Sequence, residues 1–179
     1  TGPWAKGFRN SLHITNGNQT SGAGAGDDAK IEYAIEAQDI ANSGWDYTSA
    51  SSYITLSFWV KSSVAQNFYG YIQTIDGSGQ RYPFETGSLS ANTWTKITKA
   101  IPGNSNITVD NNNEKGLGIV LTQFLGTDQT ASTSLNTWAA WSSGSRTPDQ
   151  TSTWYTTNDA TWELTGLQLE VGDVATDFE

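Results

Sequence analysis

Cysteine is absent from the 179 residues, so disulfides, thiolate metal sites and cysteine nucleophiles are excluded and the redox compartment is left open. Histidine occurs once, as His13 in Leu12-His13-Ile14, where it reads as an ordinary strand residue. A serine triad would depend on that one imidazole. The chain also lacks a Gly-x-Ser-x-Gly elbow and the strand-turn-helix setting that motif needs, which argues against acyl transfer.

Positive charge is scarce. Nine Lys and Arg stand against eighteen Asp and Glu, for a net charge of −9. Beyond Arg146 there is no base, while Asp149, Asp159, Glu163, Glu170, Asp173, Asp177 and Glu179 follow. Such a balance repels phosphate backbones and anionic lipid, and scattered single bases do not form the patch a nucleic acid or membrane surface requires. Neutral or cationic partners are expected instead. No apolar run approaches the ~20 residues of a membrane-spanning helix, and Thr1-Gly2-Pro3-Trp4 does not read as a signal peptide. The start at Thr1 and the end at Glu179 lead us to expect one domain excised from a larger protein.

What the chain does hold is Ser, Thr, Asn, Gln and Gly between short apolar runs, a mixture that favours strands and turns over helices. From Tyr53 to Ser62, Ile54, Leu56, Phe58 and Val60 alternate with Thr55, Ser57, Trp59 and Lys61, a period of two. Phe68 to Ile75 runs into the turn Asp76-Gly77-Ser78-Gly79 and returns through Arg81 to Glu85 as a hairpin. Further strands are expected over 11–15, 30–37, 94–101, 116–124, 134–141 and 162–171, with one helical turn at 38–43. Eight or more short strands in one domain predict an all-β fold, a jelly-roll β-sandwich of two antiparallel sheets.

Carboxylate pairs are the remaining route to catalysis. Glycoside hydrolysis needs two of them roughly 5 to 10 Å apart. Glu163 and Glu170, seven residues apart on one strand, are expected on opposite faces and ~23 Å apart, and Glu32 and Glu36 are ~13 Å apart at strand rise. Neither makes a dyad, and no enzyme is expected. The glycine run Gly22 to Gly26 leads into Asp27-Asp28 and a strand rather than a helix, so it is a loop and not a phosphate cradle. Asp110 to Gly116 lacks the EF-hand glycine position and has Leu121 at the twelfth place, which makes it a polar turn. No cofactor is required by any motif. A structural calcium held by oxygens of separate loops is compatible with the sequence, and spacing names no ligands for it.

Aromatic residues are the informative class: eight Trp, seven Tyr and six Phe, many in polar surroundings. Trp45 and Tyr47 fall in a turn region. Trp138, Trp141, Trp154 and Tyr155 fall among Ser, Thr, Asn and Gly and are expected to face water. Tyr69 and Tyr71 share one face of their strand, with Phe68 and Ile72 on the other. Trp59, in the strongest strand, is assigned to the core. An exposed ring matters because a pyranose packs its C–H face on it while amide and carboxylate groups take the hydroxyls.

Several segments resemble a domain recurring in phage virion proteins and tail fibres, itself similar to jelly-roll carbohydrate-binding modules: 31–40 (IEYAIEAQDI), 55–62 (TLSFWVKS), 91–103 (ANTWTKITKAIPG), 115–121 (KGLGIVL) and 165–179 (TGLQLEVGDVATDFE). The chain departs from that pattern with Ala37 where a glycine is usual and Asp177 where a proline is. The stretch from Asn136 to Asp159 is richer in Trp than the family pattern. The resemblance implies a jelly roll, a virion or glycoside-hydrolase-appended setting, and binding without turnover, on a virion or outside the cell. It transfers no binding residue.

The sequence therefore leads us to expect a lectin-like module for a polysaccharide such as a β-glucan, a xylan or a surface glycan. Its expected site is Trp138, Trp141, Trp154 and Tyr155, with Tyr69, Tyr71 and Arg81 as a second group. The alternative is a structural virion or tail-fibre domain whose aromatics contact other virion proteins.

Overall fold

The phase of the longest alternating run decides where the core lies. In the computed structural model, which describes residues 2–18 and 21–178, that run is strand β3 (Tyr53–Ser62). Ile54, Leu56, Phe58 and Val60 point inward and are sealed, while Trp59 and Lys61 point to the opposite side and are half-buried. Thr1 and Glu179, which entered the reading of the two termini, lie outside the described residues.

Around β3 a four-stranded sheet is ordered β1 (Leu12–Thr15), β9 (Thr161–Val171), β3, β6 (Thr95–Pro102). The second sheet is ordered β2 (Asp28–Glu36), β7 (Lys115–Leu125), β4 (Gln66–Thr74), β5 (Gln80–Leu89), β8 (Ala139–Ala140). Every pairing is antiparallel. The chain is thus the all-β sandwich of two antiparallel sheets that its strand pattern predicts. Two short helices, α1 (Ala37–Ala41) and α2 (Thr153–Thr156), occupy connections. The first matches the expected helical turn, and the second has no apolar periodicity to announce it.

The sheets meet through Leu56, Phe58, Val60, Trp162 and Leu164 from one side and Phe68, Ile72, Phe84, Ile119 and Leu121 from the other. Each such side chain removed from water contributes about 1.5 to 3 kcal/mol. Gly70 makes room: a Cβ there would stand 2.6 Å from the Phe84 ring and 2.7 Å from the Val120 carbonyl.

Two expectations are corrected by backbone geometry. The segment 134–141 pairs only through Ala139 and Ala140, because Asn136 takes a left-handed φ of 55° and its N–H donates to the Pro83 carbonyl outside any strand ladder. In β9, the register against β3 slips between Thr165 opposite Trp59 and Gln168 opposite Ser57. Gly166, with φ of 59°, sits in that bulge. Inward residues accordingly run Trp162, Leu164 and then Leu167, Leu169. Glu163, opposite Lys61, and Glu170, opposite Thr55, therefore share the outer face rather than lying on opposite faces. Their separation along the strand still rules out a catalytic pair.

Candidate functional site

The polar 136–159 region was expected to display its rings, and it uses Trp138 and Trp154 as plugs. Trp154, on α2, is 1% exposed; its indole N–H donates to the Thr161 carbonyl at 3.0 Å, and its backbone N–H donates to Gln66 Oε1. Trp138 is 9% exposed, packs on Tyr82 at 5.3 Å between ring centroids, and donates to the Pro102 carbonyl at 2.6 Å. Trp45 is also sealed, with its N–H on the Ser52 carbonyl. An indole whose one donor has found a backbone carbonyl can be buried at no polar cost, and composition of the surrounding loop does not reveal that. The expectation that Trp138 and Trp154 face water is thus corrected. Tyr155 is half-buried and lies flat on Phe124, with centroids 4.6 Å apart.

The second expected group lies together on the outer face of the five-stranded sheet, beneath a covering segment. Tyr71 is buried under Trp141, which is half-buried and has the Arg146 guanidinium over its ring at 5.6 Å. Burial pushes the Tyr71 hydroxyl above its ordinary pKa, against the opposing pull of Arg146. Arg81 is buried as well; it donates to the Ala140 carbonyl and to Ser145 Oγ, and desolvation lowers its pKa. It fastens the loop to β5 and offers nothing outward. Tyr69, half-buried on β4, keeps part of its edge in solvent, and its carbonyl accepts from Thr122. Val120 and Thr122 on this outer face are fully sealed, with Gln150 donating to Thr122 Oγ1. The structure brings Tyr69, Tyr71, Trp141 and Arg81 into one region but leaves no open shelf of rings there.

The opposite face of the molecule is open. On the outside of the four-stranded sheet, a groove of about 630 Å³ is lined by residues 5–8, Ser57, Trp59, Lys96, Gly166, Thr176, Asp177 and Phe178. Its floor is Trp59, placed outward by the period-two phase of β3, with Lys96 as its cross-strand partner on β6. Its walls are the two terminal arms. The N-terminal arm is tied down by Thr165 Oγ1 donating to the Asn10 carbonyl and by Phe8, whose ring fills the space over Gly166. The C-terminal arm is tied down by Glu170, whose carboxylate accepts from the Thr176 N–H and hydroxyl. Phe8 and Phe178 then meet edge to face at 5.2 Å.

No family model matches this chain, and no curated protein matches it. Among solved structures it is similar to one titled "Family 16 Carbohydrate Binding Module-2", at 10% identity and a TM-score of 0.41, over 91% of this chain and 77% of that one.

Charge is distributed unevenly around the groove. Lys6 holds its ammonium 5.7 Å above the Trp59 ring, and Lys96 is exposed. Neither lysine forms an ion pair among the described residues. Lys61, further along β3, is committed to Glu163 at 2.6 Å. Glu163 is held below the ordinary carboxylate range: burial opposes this, but hydrogen bonds from Lys61 and Ser11 and the charges of Lys61 and His13 outweigh it. Glu170 is also lowered, by the hydrogen bond from Thr176 first.

Two other features fall away as sites. The glycine loop donates its Gly24 N–H to Asp27 Oδ2, so its anion is its own carboxylate. An opening of about 420 Å³ between the edge strand β2 and the part of β9 beyond its pairing with β1 is lined by Tyr33, Ile35, Ile119, Leu167 and Leu169, with one phenol as its polar side chain. No group of three or more acidic or histidine side chains is gathered as for a metal among the described residues.

Sequence reasoning missed the groove because Trp59 was assigned to the core by the strength of its strand. The signal was in the phase: Trp59 falls in step with Thr55, Ser57 and Lys61, not with the apolar set.

Proposed function

We propose that this chain is a non-catalytic carbohydrate-binding module of a phage virion or tail fibre, acting outside the cell, and that it holds polysaccharide over Trp59. The observation that carries the reading is a half-exposed indole laid on an outer sheet face, with Ser57 in the floor beside it, phenyl rings as walls and Thr176, Asp177 and lysines at the rim. Such a groove offers a flat apolar surface and hydroxyl partners together, which a saccharide requires. Asp177 is the one carboxylate among its described lining residues, whereas glycoside hydrolysis uses two. Affinity electrophoresis against a glycan panel tests this. Retardation that disappears in Trp59→Ala and survives Trp141→Ala supports the groove; absence of retardation on every polysaccharide removes the function.

A second reading, assembly with other virion proteins, is favoured by one observation. Trp4, Val171, Val174 and Phe178 are large apolar residues more than half exposed or at half exposure. Light scattering after size-exclusion chromatography separates the two readings, since a monomer whose Trp fluorescence responds to sugar fits binding alone.

A further inference from the structure

We infer that the groove over Trp59 is built for an acidic saccharide, a pyranose bearing a carboxylate, and this rests on the carbohydrate-binding reading above. The chain's net charge of −9 argued for neutral or cationic partners, but net charge describes the whole molecule and a ligand meets one face of it. At physiological salt, charges more than about 8 Å away are largely screened. Within the groove, two ammonium groups, those of Lys6 and Lys96, face a single lining carboxylate, Asp177. Nearby acids have partners of their own: Glu163 is held by Lys61 and Ser11, and Glu170 accepts from Thr176 while also feeling the charge of Lys96 without forming an ion pair with it.

The position of Lys6 decides between ligand classes. Its ammonium lies over the ring face on which a sugar must stack. A neutral pyranose would have to push it aside and would offer it hydroxyl oxygens alone, which accept a hydrogen bond without balancing its charge. A uronic acid takes the ring with its C–H face and the displaced ammonium with its carboxylate, while Lys96 reaches the same edge from β6. Both lysines are exposed and flexible enough to swing.

The test is affinity electrophoresis of the whole chain in gels holding polygalacturonate or alginate, the same polymers after carboxyl reduction, and a neutral β-glucan. The inference expects retardation on an acidic polymer, weakened by carboxyl reduction or by raised salt. In the double variant Lys6→Gln plus Lys96→Gln, which removes only exposed side chains, apparent affinity should fall roughly 10-fold, the worth of two solvent-facing charge contacts. Equal retardation by native and carboxyl-reduced polymer overturns it, as does unchanged binding in the double variant. Retardation by neutral β-glucan alone, lost in Trp59→Ala, overturns the acidic preference and leaves carbohydrate binding standing. No retardation on any gel overturns both.

Discussion

On the five-stranded sheet the outward-facing Tyr71, Val120 and Thr122 lie beneath a folded-back segment, whereas on the four-stranded sheet the outward-facing Trp59 lies open between two terminal arms. Both faces carry rings and both carry cations. What differs is whether a ligand can reach the groups, since even the partnerless Nε–H groups of Arg81 and Arg146 on the covered face are sealed from solvent. Arg81 has carbonyl and hydroxyl partners within the fold, and the Trp138 and Trp154 N–H groups have theirs. Lys6 and Lys96 form no ion pair among the described residues. A functional face is recognised by donors that remain open to a ligand rather than by its count of aromatics.

The contrast can be broken in four places. The largest effect is expected at the covered side, where Trp154→Ala should cost about 3 to 5 kcal/mol of stability, as for other buried aromatics, measured by urea denaturation. A cost under about 1 kcal/mol would mean that Trp154 is not a plug and would reopen it as a ligand surface. Next, Arg81→Leu should destabilise by about 1.5 to 3 kcal/mol, because charged hydrogen bonds that fasten the 139–145 loop are lost, and glycan retardation should persist. Loss of retardation with an intact melt would transfer the site to this face. On the open side, Trp59→Ala should weaken glycan binding by about 1 to 3 kcal/mol, by analogy with base stacking, and shift the urea midpoint only slightly. A large stability loss there would make Trp59 a core residue after all.

The smallest effect concerns Glu163, and its sign follows from the lowered pKa. The folded state holds the carboxylate more tightly ionised than the unfolded chain does, so the contribution is present above the ordinary value of 4.5 and is lost as pH falls through the lower folded value. Glu163→Gln should therefore unfold at lower urea than the parent at pH 7, with the gap closing on acidification. A gap that stays constant down to pH 3 would show that the pair with Lys61 is not what distinguishes the residue.

Much of the architecture was legible because period two is a direct consequence of burying one face of a strand. β3 was bounded from Tyr53 to Ser62 by alternation alone, and the hairpin turn at 76–79 by its glycines. Loop packing was not legible. Whether Trp138 or Trp154 meets a carbonyl depends on residues 36 and 7 positions away, Pro102 and Thr161, which no local pattern contains. Trp59 lay between these cases: its phase announced an outward position, and the strength of its strand obscured it. The bulge in β9 was also announced, since a glycine inside a strand pattern marks such a break.

That one supernumerary residue has an architectural result. Were β9 unbroken, Glu170 would turn toward the apolar interior and could not catch Thr176, so the last residues would have no anchor on the outer sheet and Phe178 would not reach Phe8. The trough over Trp59 would then have one bank instead of two. The left-handed turn at Gly166 is thus what shapes the recess: it keeps Glu170 in phase with Glu163, and a β-branched residue in its place, strained at a φ of 59° and pressed against the Phe8 ring, should unseat the arms while leaving Trp59 and Lys96 untouched.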